Sequence, residues 1–561
     1  MLGLSRRWLI MAGLLVVVGF LVIYPLFMLV YGSFRGGGPG TDAPLSVEGY
    51  KIAYTNPSTY KVLWNTLWLG VVRTVITMIL SVFLAWVVTR TDTPWRGGLE
   101  VLVWSIFVLP LLPVVVSWTL LAGPRGFINQ GLMSFFNLSN PPFDIYSYGG
   151  IIWVSVIFWA SIIFILITPA FRGMDASLEE SSRMAGANGL TTLRRITIPV
   201  LMPAILGATV LVFIRFLESF EVELFLGYGA RIYVYTTRIW LLLGLAPADY
   251  PQAMALSTIF LALIFILIYL QWKLIGQKQY TTITGRGFAT RVTRLGKWRY
   301  VTFAIVILYF IVGAIFPLLT LILGSFMRIW GVWVADPFTL KHWVATFHDP
   351  RFLPSLRNTM YVGIGSATLG MIFYSLLSYI IVRTQMPAKK TLDFFTWLPW
   401  GVPGLVLALG FLWAYVGGIP FLSVLFGTIW LLMLVLIVAR LPLGVRVMNG
   451  AMYQFGKELE ESSRVLGASW LYTFRRVIAP LLTPAFVSTW IILFLTAVRD
   501  LVTVVFLYTP PSRLISITLL EHWIGGEYER ATVVGLIMSV VILVIALGAR
   551  WLGTKTQVPT L

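Results

Sequence analysis

Residues 178–204 read LEESSRMAGANGLTTLRRITIPVLMPA, and residues 459–485 read LEESSRVLGASWLYTFRRVIAPLLTPA. Glu180 aligns with Glu461, Gly186 with Gly467, Pro199 with Pro480 and Pro203 with Pro484, all at an offset of 281 residues and without a gap. A fixed offset of this kind is the mark of an internal repeat. Each copy is polar and basic and lies between strongly apolar runs. A polar segment of this length cannot lie in hydrocarbon with its backbone groups unpaired. The sequence therefore places both copies in loops on one face of a membrane.

The surrounding composition agrees. The chain has 561 residues, 58% of them hydrophobic and only 11% charged, where an ordinary soluble protein has roughly 25% charged residues. The apolar residues come in blocks of roughly 20, the length that spans a bilayer as a helix. They do not alternate with polar residues as the strands of a membrane barrel would. Twelve spans are expected, starting near Trp8, Leu63, Val101, Ile151, Leu201, Ala253, Tyr300, Met360, Phe394, Phe421, Leu481 and Ala531. The first block follows Arg6 and Arg7 as a signal peptide would, but Trp8 to Val30 is too long for one, so it reads as a retained span. There is no cysteine, which excludes disulfides, thiolate metal sites and a thiol nucleophile. His342, His348 and His522 fall in short polar loops and are not spaced as metal pairs.

The two halves match beyond the opening stretch. Gly32-Ser33-Phe34 recurs as Gly324-Ser325-Phe326, Asn65-Thr66 as Asn358-Thr359, Arg90-Thr91 with Pro94 as Arg383-Thr384 with Pro387, and Pro110 as Pro403. Here the offset is 292 to 293. The first half thus carries about twelve extra residues, consistent with a longer outside loop, and the segment from Gly123 to Pro142 is the insertion. Six spans per copy, an even number, make this a parallel repeat about an axis along the membrane normal. The expected units are 1–272, a basic linker 273–299, and 300–561, with the repeated loops at 172–199 and 440–480.

The net charge is +19. With the amino terminus inside, the inside segments hold 26 of the 41 cations and nine of the 22 acids. The inside count includes the linker cations Lys273, Lys278, Arg286, Arg291, Arg294, Lys297 and Arg299, and also Arg440 and Arg446. This is the positive-inside pattern. It accounts for the basic charge against anionic headgroups without nucleic acid as a partner, and puts both termini and both repeated loops in the cytoplasm.

Within each loop, Leu178 to Ala185 makes about two helical turns, and Gly186 is placed to end them in a left-handed conformation. Leu190 to Ile198 reads as a second short helix rich in Arg and stopped by Pro199. The result is a compact knob. Ser181 and Ser182 are small enough for a partner to approach closely, and Glu180 offers it a carboxylate.

The pattern Glu180-Ser181-Ser182, Gly186, Ile196, Pro199, with its copy Glu461-Ser462-Ser463, Gly467, Val477, Pro480, resembles the EAA loop of ABC importer permeases. Serine stands for both alanines, and Ala185 and Leu466 stand where an aspartate is usual. The resemblance covers nearly the whole chain. Two six-span units in one polypeptide look like the ferric-iron branch of the binding-protein-dependent importers, as do Leu217–Gly227, Val498–Tyr508 and the loop with Ile128-Asn129-Gln130.

The resemblance implies an all-α integral membrane protein, twelve transmembrane helices in two parallel six-helix permease repeats, the type I ABC importer fold. It implies a transport subunit of the bacterial inner membrane, moving a solute by alternating access, with ferric iron the expected solute. Thiamine, polyamine or phosphonate are the alternatives within the class. The implied partners are two cytoplasmic ATPase subunits and an external solute-binding protein. The implied coupling residues are Glu180, Ser181, Ser182, Gly186 and Pro199, with Glu461, Ser462, Ser463, Gly467 and Pro480.

No GxxxxGK[ST] phosphate loop occurs, so ATP and Mg are expected on the partner ATPase, with no cofactor, metal or catalytic residue on this chain. Glu218, Glu221 and Glu223 cluster with Arg215 at the expected outer end of the fifth span, and Arg499 and Asp500 at that of the eleventh. Ionisable residues near spans are costly and mark pathways, so Glu218, Glu221, Arg499 and Asp500 are the pathway candidates. Glu218 and Arg499 are repeat mates, expected to pair across the axis when the outer gate closes. Arg73 lies inside the second span without an obvious partner. A twelve-span carrier driven by an ion gradient is the reading from another class. It would place carboxylates near the middle of its spans. A membrane enzyme would need a His, Asp or Glu cluster on one face.

Overall fold

The computed structural model describes residues 4–275, 292–456 and 458–555. Lys278, Arg286 and Arg291 of the basic linker, and Lys457, lie outside the described residues. Among the described residues eleven helices are long and apolar enough to cross a membrane, or twelve spans when the bent pair Lys389–Gly401 and Gly404–Val416 is counted as one.

The helices of the first half include α1 (Leu4–Ser33), α2 (Pro57–Arg90), the pair α3 (Arg96–Val108) and α4 (Leu111–Ala122), then α5 (Phe127–Phe136) within the insertion, α6 (Tyr148–Gly173), the loop helix α7 (Ala176–Met184), α8 (Ile198–Leu217), the short α9 (Tyr235–Leu243) and α10 (Tyr250–Ile275). In the second half they are α11 (Trp298–Phe310), running on through a π-helical turn into α12 (Phe316–Phe326), α13 (Phe352–Arg383), the pair α14 (Lys389–Trp397) and α15 (Gly404–Val416), α16 (Ile429–Tyr453), the loop helix α17 (Glu458–Val465), α18 (Ala479–Val498), α19 (Ile515–Ile524) and α20 (Tyr528–Lys555).

The halves exchange their first helices. α1 packs on its own last helix α10 and on α14 and α15 of the other half, while α11 and α12 pack on α20 and on α3 and α4. The repeated glycines allow this. A Cβ on Gly32 would stand 2.6 Å from the Trp413 ring of α15, and one on Gly324 would stand 3.0 Å from Leu120 of α4. Small residues let helices approach in membranes, where close packing rather than the hydrophobic effect drives association.

The structure corrects the sequence reading in three places. First, the apolar run expected as the third span of each half is broken, and in the first half the stretch long and apolar enough to cross a membrane runs from Leu111 to Phe136. Leu109 and Pro110 are extended between α3 and α4, and the corresponding break at Val402 and Pro403 bends the ninth span by 112°. Proline has no amide hydrogen and pushes the residue before it out of the helical region, so the repeated Pro110 and Pro403 each end a helix. The tenth span also begins at Ile429 rather than near Phe421, because Pro420–Leu425 forms a short 3-10 turn.

Second, Arg440 and Arg446 lie on α16, which runs to Tyr453, and not in the inner loop. Third, Glu223 is not at the outer end of a span. After α8 the chain turns back through a π-helical turn at Glu223–Gly227 and α9, and Glu223 meets Arg73 halfway along α2. The irregular return is tolerated because its backbone is bonded inside the protein. Asn65 Nδ2 donates to the Tyr233 carbonyl at 3.1 Å, and Tyr235 N donates to Thr66 Oγ1 at 2.9 Å. The same two residue types act in the second half. Asn358 Nδ2 donates to the Pro511 carbonyl at 2.8 Å, and Ile515 N donates to Thr359 Oγ1 at 2.8 Å.

Arg73 and Glu223 are both fully buried, with Nη1 2.5 Å from Oε1. Arg73 also donates to the Phe216 carbonyl at 3.0 Å and to Ser155 Oγ at 3.3 Å, and Ser219 Oγ donates to Glu223 Oε2 at 2.6 Å. The repeat places Ser366 and Val504 at the corresponding positions of the second half, so an uncharged solution already exists in the same fold. Removing one partner of a buried pair costs about 3–5 kcal/mol, whereas replacing both is close to neutral. Arg73→Ser alone should therefore lower thermal stability in detergent by an amount in that range. Arg73→Ser with Glu223→Val should recover most of it. Equal loss in the single and double variants would contradict this account of the pair.

Candidate functional site

The two repeated loops fold alike. Gly186 and Gly467 take φ of +86° and +83°, the left-handed conformation read from the sequence. Ala187 N bonds to the Ser182 carbonyl and Ala468 N to the Ser463 carbonyl, each at 3.1 Å, closing a Schellman turn. A Cβ on either glycine would meet nothing within 4 Å, so backbone conformation and not crowding requires glycine here.

Ser182 and Ser463 are not open small surfaces. Their hydroxyls lie 3.1 and 2.9 Å from the hydroxyls of Thr192 and Thr473, tying the first short helix of each knob to the second. Ser181 and Ser462 are exposed, Glu461 is exposed, and Glu180 is half-buried. The second short helix does not stop at the proline. In each half a π-helical turn, Leu193–Thr197 or Phe474–Ile478, leads directly into the span. Pro199 and Pro480 sit at the start of α8 and α18, where the wider turn accommodates a residue that cannot donate. The knob tips carry apolar side chains in the open, with Met184 85% exposed and Val465 and Leu466 each 86%.

The sequence reading missed the glutamate before the named one. Glu179 and Glu460 are buried and face the inner end of the second span of their half. Arg90 of α2 approaches Glu179 to 3.8 Å and donates to the Phe171 and Met174 carbonyls at the end of α6. Arg383 of α13 approaches Glu460 to 3.3 Å and donates to the Met452 and Phe455 carbonyls at the end of α16. The signal was present twice, in the repeated Arg-Thr pair and in the leading Glu of each loop.

The pathway candidates gather where α8 and α18 end against the broken third spans. Glu218 and Arg499 are not bonded to each other. Glu218 Oε2 accepts from Arg215 Nη1 at 2.7 Å. Arg499 Nη1 donates at 3.0 Å to the Phe107 carbonyl, one of the acceptors left unpaired where α3 ends. Asp500 pairs with Arg440 of α16 at 2.7 Å and also accepts from Thr503 N and Oγ1. Glu221 lies within the electrostatic influence of Asp500 and Arg499 of the other half and of Glu223 of its own.

Two contacts cross between halves reciprocally. The Arg215 guanidinium stacks on the Trp400 ring at 5.3 Å, and that of Arg499 on the Phe107 ring at 4.8 Å. Phe107 and Trp400 correspond under the 293-residue offset. At the end of its fifth span, each half thus reaches onto an aromatic at the third-span break of the other. Such contacts are worth about 0.5–2 kcal/mol each, more when desolvated.

A family model described as the binding-protein-dependent transport system inner membrane component matches residues 366–558. The ferric transport system permease protein FbpB of Actinobacillus pleuropneumoniae is 28% identical over 562 residues, covering 98% of this chain and 78% of that protein. The putative ferric transport system permease protein FbpB 1 of Haemophilus influenzae is 28% identical over 512 residues, covering 89% and 78%. Among solved structures, a bacterial ABC transporter involved in alginate import aligns with a TM-score of 0.42 at 20% identity, over 49% of this chain and 97% of that one. The family match in the second half, the near full-length relatives and the repeat agree: the chain is similar to the ABC importer permeases of the binding-protein-dependent type, with two such units in one polypeptide, and most like the ferric-transport branch.

Proposed function

We propose that this chain forms the translocation pathway of an ATP-driven importer of ferric iron. One copy works with two cytoplasmic ATPase subunits and an external solute-binding protein, and both termini lie in the cytoplasm. The observation that carries the reading is the pair of equivalent knobs. Each has an exposed apolar tip beside a fixed glycine turn, and each is continuous with a fifth span that ends in the pathway cluster. Apolar side chains held open on a polar loop mark a protein-docking surface. Two such knobs in one chain call for two partner subunits. Glu180, Ser181, Glu461 and Ser462 form the docking faces, while Gly186, Gly467, Ser182, Ser463, Pro199 and Pro480 hold the knobs in shape.

In this reading the cluster of Glu218, Glu221, Arg499 and Asp500 is the gate between the halves, and the Arg215–Trp400 and Arg499–Phe107 contacts cross between them beside it. Ferric iron as the solute is supported by the two ferric-transport relatives, each of which covers most of the chain. Selectivity would rest with the binding protein, and the pathway would pass what that protein delivers.

Proteoliposomes holding this chain and its ATPase separate the two classes of reading. Uptake of iron from the loaded binding protein should require ATP on the ATPase side and should persist when an ionophore collapses ion gradients. Uptake that ignores ATP and collapses with the ionophore would support an ion-driven carrier instead. Uptake of another bound solute, with iron refused, would keep the class and change the substrate.

The docking faces have their own test. Reversing both carboxylates, Glu180→Lys with Glu461→Lys, should abolish transport at unchanged membrane abundance. A docked, desolvated carboxylate is worth about 2 kcal/mol or more, against about 0–1 kcal/mol for an exposed pair. Each single reversal should be milder. Wild-type transport by the double variant would remove the loops from the coupling role.

A further inference from the structure

We infer that Arg90 and Arg383 are the residues through which each loop moves its half of the pathway. They are positioning residues that fasten the loop to two spans at once. This rests on the coupling role proposed above for the loops.

The geometry is the same in both halves. A helix C-terminus carries carbonyls without intrahelical partners and a partial negative charge. Arg90 Nε donates to the Phe171 carbonyl at 2.9 Å, and its Nη2 donates to Phe171 and Met174 at 2.5 and 2.6 Å. Arg383 Nη2 donates to Met452 and Phe455, each at 2.8 Å. Each guanidinium thereby binds the inner end of the second span to the inner end of the fourth. Its remaining face is turned to the buried glutamate that opens the loop. Arg90, Glu179, Arg383 and Glu460 are all buried or nearly so, with side-chain exposures of 1%, 3%, 7% and 11%.

The two arms differ in how far they are closed. Charge-assisted N–H···O bonds are about 2.7–2.9 Å long, whereas the guanidinium–carboxylate separations are 3.8 Å in the first half and 3.3 Å in the second. Arg90 Nη1, Glu179 Oε2, Arg383 Nε and Glu460 Oε1 are accordingly buried without a hydrogen bond. A shift of each loop by an ångström or less toward the second span would make these bonds, and a shift away would lose them. In the first half Thr197 Oγ1 also donates to Glu179 Oε1 at 2.6 Å. The second half has Ile478 at that position, so among the described residues Arg383 is the one side chain paired with Glu460.

Only arginine fits this place. Its planar fork reaches two carbonyls and a carboxylate together, where lysine presents one compact charge. A tie that served stability alone would tolerate any change that preserved folding. A tie that transmits motion would not.

The test is the reconstituted assembly of chain, ATPase and loaded binding protein, with solute moved per ATP hydrolysed as the readout. Thermal stability and membrane abundance are measured beside it. Arg90→Lys with Arg383→Lys, and separately the nearly isosteric Glu179→Gln with Glu460→Gln, should leave ATP hydrolysis running. Solute moved per ATP should fall by at least about fivefold, the lower end of ordinary coupling between sites. Glu460→Gln alone should cost more than Glu179→Gln alone, because Thr197 still holds the first loop. If the lysine variant does not fold, the glutamine variant decides the matter. An unchanged ratio overturns the inference, whether stability falls or not. A wild-type assembly that moves no solute with ATP is a different failure, since it removes the coupling reading on which this one rests.

Discussion

A backbone that leaves the helical path inside a helix bundle has to find its hydrogen bonds within the protein. The architecture of this chain depends on meeting that requirement with side chains from neighbouring helices. Asn65 and Thr66 bond the return after α8, and Asn358 and Thr359 bond the return after α18. Arg499 takes the Phe107 carbonyl beside the break in the third span. Arg90 and Arg383 take the last carbonyls of α6 and α16. The breaks are therefore joints whose two sides are tied by named residues, and those residues sit where the loops, the charged cluster and the spans meet.

The two halves share this plan but not every detail. The Asn-Thr pair, the Arg that takes helix-end carbonyls, the glycine turn and the Ser–Thr tie recur residue for residue. The buried Arg73–Glu223 pair does not, since Ser366 and Val504 replace it. In the charged cluster between the halves, Glu218 of one half corresponds to Arg499 of the other, and each takes a different partner. What recurs is what shapes the loop and joins it to the spans. What differs lies partly inside one half, as with the Arg73–Glu223 pair and with Thr197 against Ile478, and partly where the halves meet, as with Glu218 and Arg499.

Much of this was legible in the sequence. Apolar blocks and the constant offset gave the spans and the parallel repeat, because hydrophobic length and self-similarity are local properties of a string of residues. Gly186 and Gly467 were readable because only a few residue types adopt the left-handed conformation easily. Partners were not readable. Arg73 finds Glu223 150 residues away, and Arg440 finds Asp500 60 residues away; neither separation has a period that a sequence reading could follow. Pro110 and Pro403 were visible as a repeated pair, but a long apolar run around each hid the break. Glu179 and Glu460 were overlooked because each stands beside a second glutamate. Burial, which separates the two, belongs to the fold and not to the residue type.

The central claim is that one chain presents two equivalent lever arms, each a knob joined by an arginine to the second and fourth spans, to two separate motor subunits. A structure of the assembled complex at side-chain resolution tests it most directly. The account predicts two ATPase subunits per chain, with Met184 of one knob and Val465 and Leu466 of the other each seated in a different subunit. Two copies of this chain per pair of ATPases, or a knob left in solvent, would contradict it.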